Sequence, residues 1–372
     1  MKSIFTSRRD FLKTSALATA GISLAGKFSS FAAEEKPARK IGYALCGLGN
    51  LSANQLAPAL LETKFAKLTG IITGSPDKAK RWQAKYKIPD HCVYSYDTMA
   101  KLADNPDIDV VYVVTPNGLH ADHTIAAAKA GKHVLCEKPM EVSAEKCQQM
   151  IDACKAAGKQ LAVGYRLHFE PNNLECVRLA REKVFGDLKL IEAGFGFSIG
   201  DPKQWRLKKE LSGGGPMMDV GIYALQAMRY IAGEEPVSVI ATASTIDREK
   251  FRDIEETISW QLKFPSGLLA SGLSTYRVNG INYYKAYAER GSFGMEPAYS
   301  YHALHGTRNE GREKQEIQLP DLDQFVLEMD DFAKCILENR PTRVPGEEGL
   351  RDMKIITAIY ESARTGKAVA LA

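Results

Sequence analysis

The chain has 372 residues, of which 45% are hydrophobic and 25% are charged. This balance is typical of a globular protein with about two domains, and it excludes a disordered polyelectrolyte. The formal net charge of +4 comes entirely from residues 1–32, so the rest of the chain is balanced in charge and predicts no binding to nucleic acid or to an anionic membrane.

The first segment has the pattern of an export signal. Residues 7–13 read Ser-Arg-Arg-Asp-Phe-Leu-Lys, the twin-arginine pattern. Residues 14–26 are mildly apolar and too short to span a bilayer as a stable helix. Ser30 and Ala32 then provide the small residues of a peptidase site. We therefore predict a signal peptide over residues 1–32, export to the periplasm by the twin-arginine machinery, and no stable membrane anchor.

Residues 40–160 alternate between strand-like and helix-like segments. Short apolar runs predict buried parallel strands at Ile41–Cys46, Leu68–Thr73, Asp109–Val114 and His133–Cys136. Helical patterns lie between them at Leu51–Lys64, Asp77–Tyr86 and Thr124–Ala130, and a further helix starts at Ser143. This α/β alternation predicts a Rossmann domain, with a doubly wound parallel sheet, over residues 33–160.

The pattern changes after about residue 160. Strand-like stretches follow one another at Leu188–Phe197, Pro236–Ile246, Glu256–Phe264, Leu268–Tyr276 and Tyr283–Glu289, and helices are predicted at Met217–Ala232 and Gly349–Arg364. Successive strands without crossover helices predict an α+β domain on a large, mostly antiparallel sheet. We assign substrate binding and oligomer contacts to this domain, residues 161–372, and place a hinge near Gly158–Gly164.

Neither the cysteines nor the histidines indicate a disulfide framework or a metal site. The seven cysteines are an odd number and form no Cys-x-x-Cys pair, so buried thiols are expected. His120 and His123 are three residues apart, but no third ligand of metal spacing follows. We predict no metal.

A glycine turn follows the first strand. Gly47-Leu48-Gly49-Asn50-Leu51 lies where a Rossmann fold places a dinucleotide pyrophosphate, at the start of a helix. Ser52 replaces the third glycine of the usual motif. The alternative interpretation is a tight strand-to-helix turn that binds no ligand.

The end of the second strand indicates which dinucleotide would bind. A carboxylate at this position binds the ribose hydroxyls of NAD, but this sequence has Thr73-Gly74-Ser75, and Asp77 comes only later. The hydroxyl groups, together with Lys78, Lys80 and Arg81, suit the 2′-phosphate of NADP better. A solvated helix start with ordinary surface lysines is the alternative.

Two further segments carry candidate catalytic groups. Lys138 follows the fourth predicted strand in Glu137-Lys138-Pro139, at the sheet edge where ligands bind. Asp219 and Tyr223 are four residues apart after three glycines, so they share one helix face. The alternatives are a surface lysine before a turn, an acid beside a helix N-terminus and a core tyrosine.

Further motifs continue in the same order from about Gly42 to Ala368. They are Thr115-Pro116-Asn117 with His120, Ala130-Gly131-Lys132-His133, Gly164-Tyr165-Arg166 with Glu170-Pro171, Gln204-Trp205-Arg206-Leu207, Gly213–Tyr223, Gly233-Glu234-Glu235-Pro236 and Pro345-Gly346-Glu347-Glu348-Gly349. In the order and spacing of these motifs the chain resembles the Gfo/Idh/MocA oxidoreductases, and among them the sugar–sugar oxidoreductases of the glucose–fructose type. The resemblance implies NADP as the cofactor.

The resemblance also implies roles for individual residues. Lys138, Asp219 and Tyr223 would form the catalytic group, and Tyr223 replaces the histidine that is usual in the family. Together with the loop motifs, the resemblance implies cofactor contacts at Gly47, Leu48, Gly49, Asn50, Leu51, Thr73, Ser75, Lys78, Tyr96, Thr115, Pro116, Asn117, His120, Glu137, Lys138, Arg166, Trp205, Arg206 and Tyr301.

The implied activity uses one bound NADP for two sugars: an aldose is oxidised at its anomeric carbon to a lactone, and a second sugar is reduced to an alditol. Tyr223 would exchange the hydroxyl proton, and Lys138 would supply the cation that a phenol, with an ordinary pKa of about 10, needs near neutral pH. Asp219 would fix the sugar. A sugar dehydrogenase with exchangeable NAD(P), an exported nicotinamide-dependent glycosidase and a sugar sensor stay open as alternatives. We expect the chain to assemble as a homodimer or homotetramer.

Overall fold

The structure is a computed structural model, and it describes residues 39–371, which lie in one compact unit. The predicted signal peptide lies outside the described residues. Over the described range, no helix is long and apolar enough to cross a membrane.

The first sheet is a six-stranded parallel sheet with the order β3-β2-β1-β4-β5-β6. Its strands are β1 (Ile41–Cys46), β2 (Ala66–Ile72), β3 (Val93–Tyr94), β4 (Val110–Val113), β5 (His133–Glu137) and β6 (Leu161–Gly164), and its helices are α1 (Ala57–Glu62), α2 (Pro76–Tyr86), α3 (His120–Lys129) and α4 (Ala144–Ala156). Every residue of β1 and β4 is buried, which explains their continuous apolar sequence. The predicted Rossmann sheet is confirmed.

Two strands of this sheet were missed, and one of them extends the sheet past the predicted domain end at residue 160. β6 pairs with β5, and the amide of Val163 also donates to the carbonyl of Val344 at 2.8 Å. The predicted hinge at 158–164 therefore contains a buried strand, and four apolar residues were too few to reveal it. α3 begins at His120 instead of Thr124, because a 3-10 turn at Asn117–Leu119 leads directly into it.

The second sheet has nine strands in the order β14-β13-β12-β11-β7-β10-β9-β8-β15 within the described range. They are β7 (Leu188–Gly196), β8 (Ser238–Ser244), β9 (Thr257–Lys263), β10 (Leu269–Thr275), β11 (Ile281–Ala288), β12 (Gly291–Met295), β13 (Gly306–Glu310), β14 (Glu313–Ile317) and β15 (Val369–Ala370). The helices of this half are α5 (Pro171–Arg181), α6 (Lys209–Ser212), α7 (Ile222–Ala232), α8 (Gln324–Leu337) and α9 (Gly346–Thr365). The mostly antiparallel sheet is confirmed, and β7 with β10 is its parallel pair.

Two short π-helical turns lie directly before helices α1 and α7. Ser52–Leu56 leads into α1, and Met217–Gly221 leads into α7. Such turns often occur at functional sites, because the wider turn changes the direction of side chains. Asp219 lies in the second π turn, and Tyr223 lies in the first turn of α7.

The predicted buried thiols are confirmed. All seven cysteines are free and buried in the structure. Burial raises the pKa of the Cys154 thiol to about 12, so this thiol is a weak nucleophile near neutral pH.

Candidate active site

A cavity of about 390 Å³ lies at the carboxyl ends of β1, β4 and β5, the edge at which open α/β sheets bind ligands. Its lining residues are Gly47, Leu48, Gly49, Asn50, Leu51, Thr73, Lys78, Tyr96, Val114, Thr115, Pro116, Asn117, His120, Glu137, Lys138, Trp205, Arg206, Tyr223, Tyr301 and Phe325. The cavity thus brings together the predicted site residues except Ser75, Arg166 and Asp219.

The glycine turn after β1 is shaped for close approach by a ligand. Gly47 has a φ of +100°, and a Cβ atom there would lie 2.8 Å from the Val114 carbonyl oxygen. A Cβ on Gly49 would meet nothing within 4 Å, so the backbone is open on that side. Ser52 is fully buried and its Oγ donates to the Gly47 carbonyl at 2.5 Å. The serine that replaces the third glycine therefore stabilises the turn by a hydrogen bond to its first glycine.

The wall at the end of β2 is polar and basic. Lys78 Nζ donates to the Leu48 carbonyl at 3.3 Å, which holds its ammonium group beside the glycine turn. The ring of Tyr96 packs on Gly74 and stacks on His123 with ring centres 4.7 Å apart. Ser75 caps α2 and does not line the cavity. At this end of the cavity, the described lining residues include no carboxylate for a ribose hydroxyl.

His120 joins two loops of the cavity wall. Its Nε2 lies 2.8 Å from the Thr115 carbonyl oxygen, and its Nδ1 lies 3.0 Å from the Pro139 carbonyl oxygen. Burial lowers the pKa of His120 to about 4, so the ring is neutral near pH 7 and donates its single N–H to one of these carbonyls. Its contacts identify it as a brace between the loops after β4 and β5.

The segment from Trp205 to Ser212 is tied to the opposite loop. Asn117 Nδ2 donates to the Ser212 carbonyl at 2.9 Å, and a Cβ on Gly118 would lie 2.5 Å from the Glu210 carbonyl oxygen. This close packing brings Trp205 and Arg206 into the cavity wall. The contact joins residues about 95 positions apart, a separation over which no local pattern could predict it.

Lys138 and Tyr223 line one end of the cavity, and Asp219 lies next to Lys138 just outside the lining. Lys138 Nζ donates to the Asp219 backbone carbonyl at 2.7 Å and lies 3.7 Å from Asp219 Oδ1. The same Nζ lies 4.6 Å from the ring centre of Tyr223. The predicted catalytic group is therefore assembled in space, with the lysine between the acid and the phenol.

The Asp219 carboxylate is held by more partners than the sequence indicated. Arg206 Nε donates to its Oδ2 at 2.8 Å, and Tyr276 Oη donates to the same oxygen at 3.0 Å. Burial acts to raise the pKa of Asp219, but Arg206 and Lys138 outweigh it and hold that pKa below its ordinary value. Asp219 is therefore an anion, and Oδ1 is its less constrained acceptor. Tyr276 follows β10 and had no motif to reveal it.

Arg166 contacts Tyr223 but does not itself line the cavity. Its guanidinium is buried, and its Nε donates to Tyr223 Oη at 3.3 Å. The resemblance implied that Arg166 contacts the cofactor, whereas the structure places it against the phenol of Tyr223.

Next to the cavity, a tyrosine and two glutamates form a buried cluster of ionisable side chains. Tyr112 Oη lies 2.8 Å from Glu137 Oε1 and 3.0 Å from Glu328 Oε2. Burial raises the pKa of both carboxyl groups, and Glu137 raises that of Glu328 further. The phenol has one proton, so both contacts are satisfied when Glu328 is protonated and donates to Tyr112. Glu328 was missed because α8 itself was not predicted.

One group of possible metal ligands lies elsewhere. Within residues 39–371, His91, Cys92 and Asp107 bring their ligand atoms within 4.8 Å of one another. His91 Nε2 is already 3.0 Å from an oxygen of Asp107, and His120 and His123 take no part in this group. The absence of a metal stays a prediction.

Two family models match the two halves of the chain. A model described as an oxidoreductase family with an NAD-binding Rossmann fold matches residues 41–165. A model of the C-terminal domain of the same family matches residues 174–294. The fold and the cavity are thus those of a Rossmann-fold oxidoreductase. The chain belongs to the Gfo/Idh/MocA oxidoreductase family.

Similar proteins include two xylose dehydrogenases and one solved oxidoreductase. The D-xylose 1-dehydrogenase [NADP(+)] of Haloarcula marismortui is 31% identical over 347 residues, which cover 91% of this chain and 94% of the relative. D-xylose 1-dehydrogenase (NADP(+)) 2 of Haloferax volcanii is 32% identical over 334 residues, 88% of this chain and 99% of the relative. The crystal structure of aldose-aldose oxidoreductase from Caulobacter crescentus complexed with glycerol has 43% identity and a TM-score of 0.87, and the match covers 90% of this chain and all of that one.

Proposed function

We propose that the protein is an NADP-containing sugar oxidoreductase that oxidises an aldose at its anomeric carbon and reduces a second sugar. The observation that carries this proposal is the single cavity in which the glycine turn after β1 meets Lys138 and Tyr223. The relatives support it, because their names describe NADP-dependent action on xylose and transfer between aldoses. The first sugar would become a lactone and the second an alditol, so the hydride and proton lost by one are gained by the other.

The residues of the cavity fit a nicotinamide dinucleotide. The open backbone at Gly49 suits a pyrophosphate beside the glycine turn. Lys78 and Thr73 offer an ammonium group and a hydroxyl where a 2′-phosphate would lie, which favours NADP over NAD. When bound, the nicotinamide supplies a hydride acceptor and donor. Every other role falls to side chains of this chain.

Three side chains would act on the sugar. Tyr223 Oη would take the proton of the anomeric hydroxyl during oxidation and return it to the second sugar during reduction. Asp219 Oδ1 would accept a hydrogen bond from a sugar hydroxyl, since Oδ2 is engaged by Arg206 and Tyr276. Lys138, whose Nζ donates to the Asp219 backbone carbonyl at 2.7 Å, would hold the Asp219 carboxylate and the Tyr223 phenol in fixed relative positions.

The test is to purify the protein, release any bound nucleotide with acid and identify it, and then incubate the holoprotein with pairs of sugars without added coenzyme. We expect NADP in the extract, and lactone and alditol in equal amounts. Lactone formation that requires continuous addition of NAD(P)⁺ would instead indicate a dehydrogenase with an exchangeable cofactor. No redox product from any aldose would contradict the proposal.

We also propose that the protein works in the periplasm after removal of residues 1–32. The twin-arginine pattern and the peptidase site in the sequence support this location. A compartment without a pool of free NADP would favour an enzyme that recharges its cofactor with a second sugar. Replacing Arg8 and Arg9 with lysine should leave a folded precursor in the cytoplasm, whereas normal export of that variant would contradict the assignment.

A further inference from the structure

Arg166 is a buried cation whose described hydrogen-bond partners include no carboxylate. It is 3% exposed. Among the contacts described for residues 39–371 it has no ion pair with an aspartate or glutamate, although its charge acts to lower the pKa of the buried Glu137 and Glu328. Its Nε donates to Tyr223 Oη at 3.3 Å. A buried charge is expensive unless hydrogen bonds or an opposite charge compensate it. Tyr223 is the one ionisable side chain among the hydrogen-bond partners described for Arg166.

The remaining N–H groups of Arg166 fix its orientation. Nη2 donates to the Tyr299 carbonyl at 2.5 Å, and Nη1 donates to the Ser300 carbonyl at 3.2 Å and to Gln324 Oε1. Its central carbon also lies 4.8 Å from the ring centre of Tyr301. The guanidinium therefore cannot turn away from Tyr223 without breaking several bonds.

Lys138, the other cation beside Tyr223, is placed differently. Its Nζ donates to the Asp219 carbonyl and faces the Asp219 carboxylate at 3.7 Å. It lies above the Tyr223 ring, 4.6 Å from its centre, and no hydrogen bond joins it to the phenol oxygen among the contacts described for residues 39–371. The guanidinium carbon of Arg166 also lies near the Tyr223 ring, 4.9 Å from its centre. The two cations differ in that Lys138 is paired with Asp219, whereas Arg166 donates a hydrogen bond to the phenol oxygen.

We propose that Arg166 is a positioning residue that holds Tyr223 Oη in place and stabilises its deprotonated form. This inference rests on the proposed role of Tyr223 in proton exchange. In the oxidation, the proton passes from the sugar hydroxyl to Tyr223 Oη, and in the reduction it returns. Arg166 donates a hydrogen bond throughout and keeps its own proton, as arginine does in proteins.

The first test measures the ionisation of Tyr223 directly and needs no sugar. Holoprotein with a carbon-13 label at the tyrosine ζ carbon is titrated by NMR, and the Tyr223 signal is assigned by its loss in Tyr223→Phe. In Arg166→Met, we expect the ionisation midpoint of Tyr223 to rise by about 1–2 pH units. Arg166→Lys keeps a cation and should give a smaller rise. Arg343→Gln, which removes an exposed arginine that contacts the His168 carbonyl, should leave the midpoint unchanged.

The second test is a double-mutant cycle on aldose oxidation. Arg166→Met should lower kcat by about 10- to 100-fold near neutral pH. It should also shift the acid limb of the pH profile of kcat/KM to higher pH, by the same amount as the ionisation midpoint of Tyr223. In the Tyr223→Phe background, the same substitution should lower kcat by less than about 3-fold, because its target is gone. If Arg166→Met does not fold, Arg166→Lys provides the cycle, with smaller shifts in the same direction.

An unchanged ionisation midpoint in a folded Arg166 variant, or equal losses of kcat in both backgrounds, would overturn the proposal. The two tests also separate the inference from the proposed function. If no sugar is turned over, the proposed function fails, while the NMR titration still decides whether Arg166 controls the ionisation of Tyr223.

Discussion

The two ends of the cavity differ in how their residues are held. At the glycine turn, side chains donate to backbone carbonyls: Ser52 bonds the Gly47 carbonyl, and Lys78 bonds the Leu48 carbonyl. At the opposite end, charged side chains are linked to one another beside the Tyr223 phenol. Arg166 donates to the phenol oxygen and Lys138 lies over the ring. Asp219 is bonded in turn to Lys138 and Arg206.

We expect this difference to separate cofactor binding from proton transfer. A cofactor held by backbone groups and one lysine can be weakened by single substitutions without loss of the acid–base group. The opposite end depends on several charges that compensate one another, so a single change there alters the protonation of its neighbours. Substitutions at the two ends should therefore give distinct kinetic signatures.

The largest effect should come from Tyr223→Phe. This change keeps the ring, which packs against Phe195 and Tyr299, and removes only the hydroxyl. We expect turnover to fall by about 10²–10⁴-fold in both half-reactions, with the amount of bound nucleotide unchanged. Single-turnover rates for oxidation and reduction measure this. A Tyr223→Phe enzyme that oxidises the aldose at close to the wild-type rate would assign proton transfer to another group.

A smaller effect is expected at the other end, from Lys78→Ala. Loss of a charge-assisted bond to the 2′-phosphate should weaken NADP binding by about 1.5–3 kcal/mol and leave NAD binding almost unchanged. Titration of the cofactor-free protein with both nucleotides provides the measurement, and Lys80→Ala, an exposed neighbour on α2, is the matched control. Equal losses for NADP and NAD would mean that Lys78 is not at the 2′-phosphate.

The smallest effect is expected at Glu328, where a substitution should change the free energy of unfolding. Because burial raises the pKa of Glu328 well above its ordinary value, the folded protein keeps a proton that the unfolded chain releases above about pH 4.3. The stability that this group contributes is therefore fully present below the unfolded pKa and is lost as the pH rises toward the folded pKa.

Glu328→Gln removes this titration and should stabilise the protein at alkaline pH. We expect the free energy of unfolding to increase by about 1–2 kcal/mol near pH 8 and to change little near pH 4. Denaturant unfolding at the two pH values measures the difference. Glu338→Gln, an exposed control at the end of the same helix, should stay within about 0.5 kcal/mol of wild type. A Glu328 variant with the same change at both pH values would contradict the assignment.

The fold was predictable where a pattern is local and complete. The apolar runs that became β1 and β4 are buried on both faces, so their composition alone indicated parallel strands. β3 has two residues and β6 has four, and such short segments depend on a neighbouring strand that no window of sequence contains. α8 was missed although Phe325, Met329 and Phe332 give it an apolar face.

The site was predictable to a similar extent. The glycine turn and Lys78 follow strands directly, so their position at the sheet edge could be inferred from order alone. The identities of Lys138, Asp219 and Tyr223 came from the resemblance and their residue types. Their partners Arg166, Arg206 and Tyr276 are defined by contacts across 13 to 57 positions. Only the folded chain shows that Arg166, rather than Lys138, donates to the phenol oxygen.

A single-turnover absorbance experiment tests most directly whether one bound cofactor serves two sugars. Holoprotein is mixed with an aldose alone, without added coenzyme, and nicotinamide absorbance is followed before a second sugar is added. We predict one equivalent of reduced NADP per protein after the first addition, and its complete reoxidation with alditol formation after the second. Reduced cofactor that appears free in solution, or that the second sugar does not reoxidise, would contradict the account.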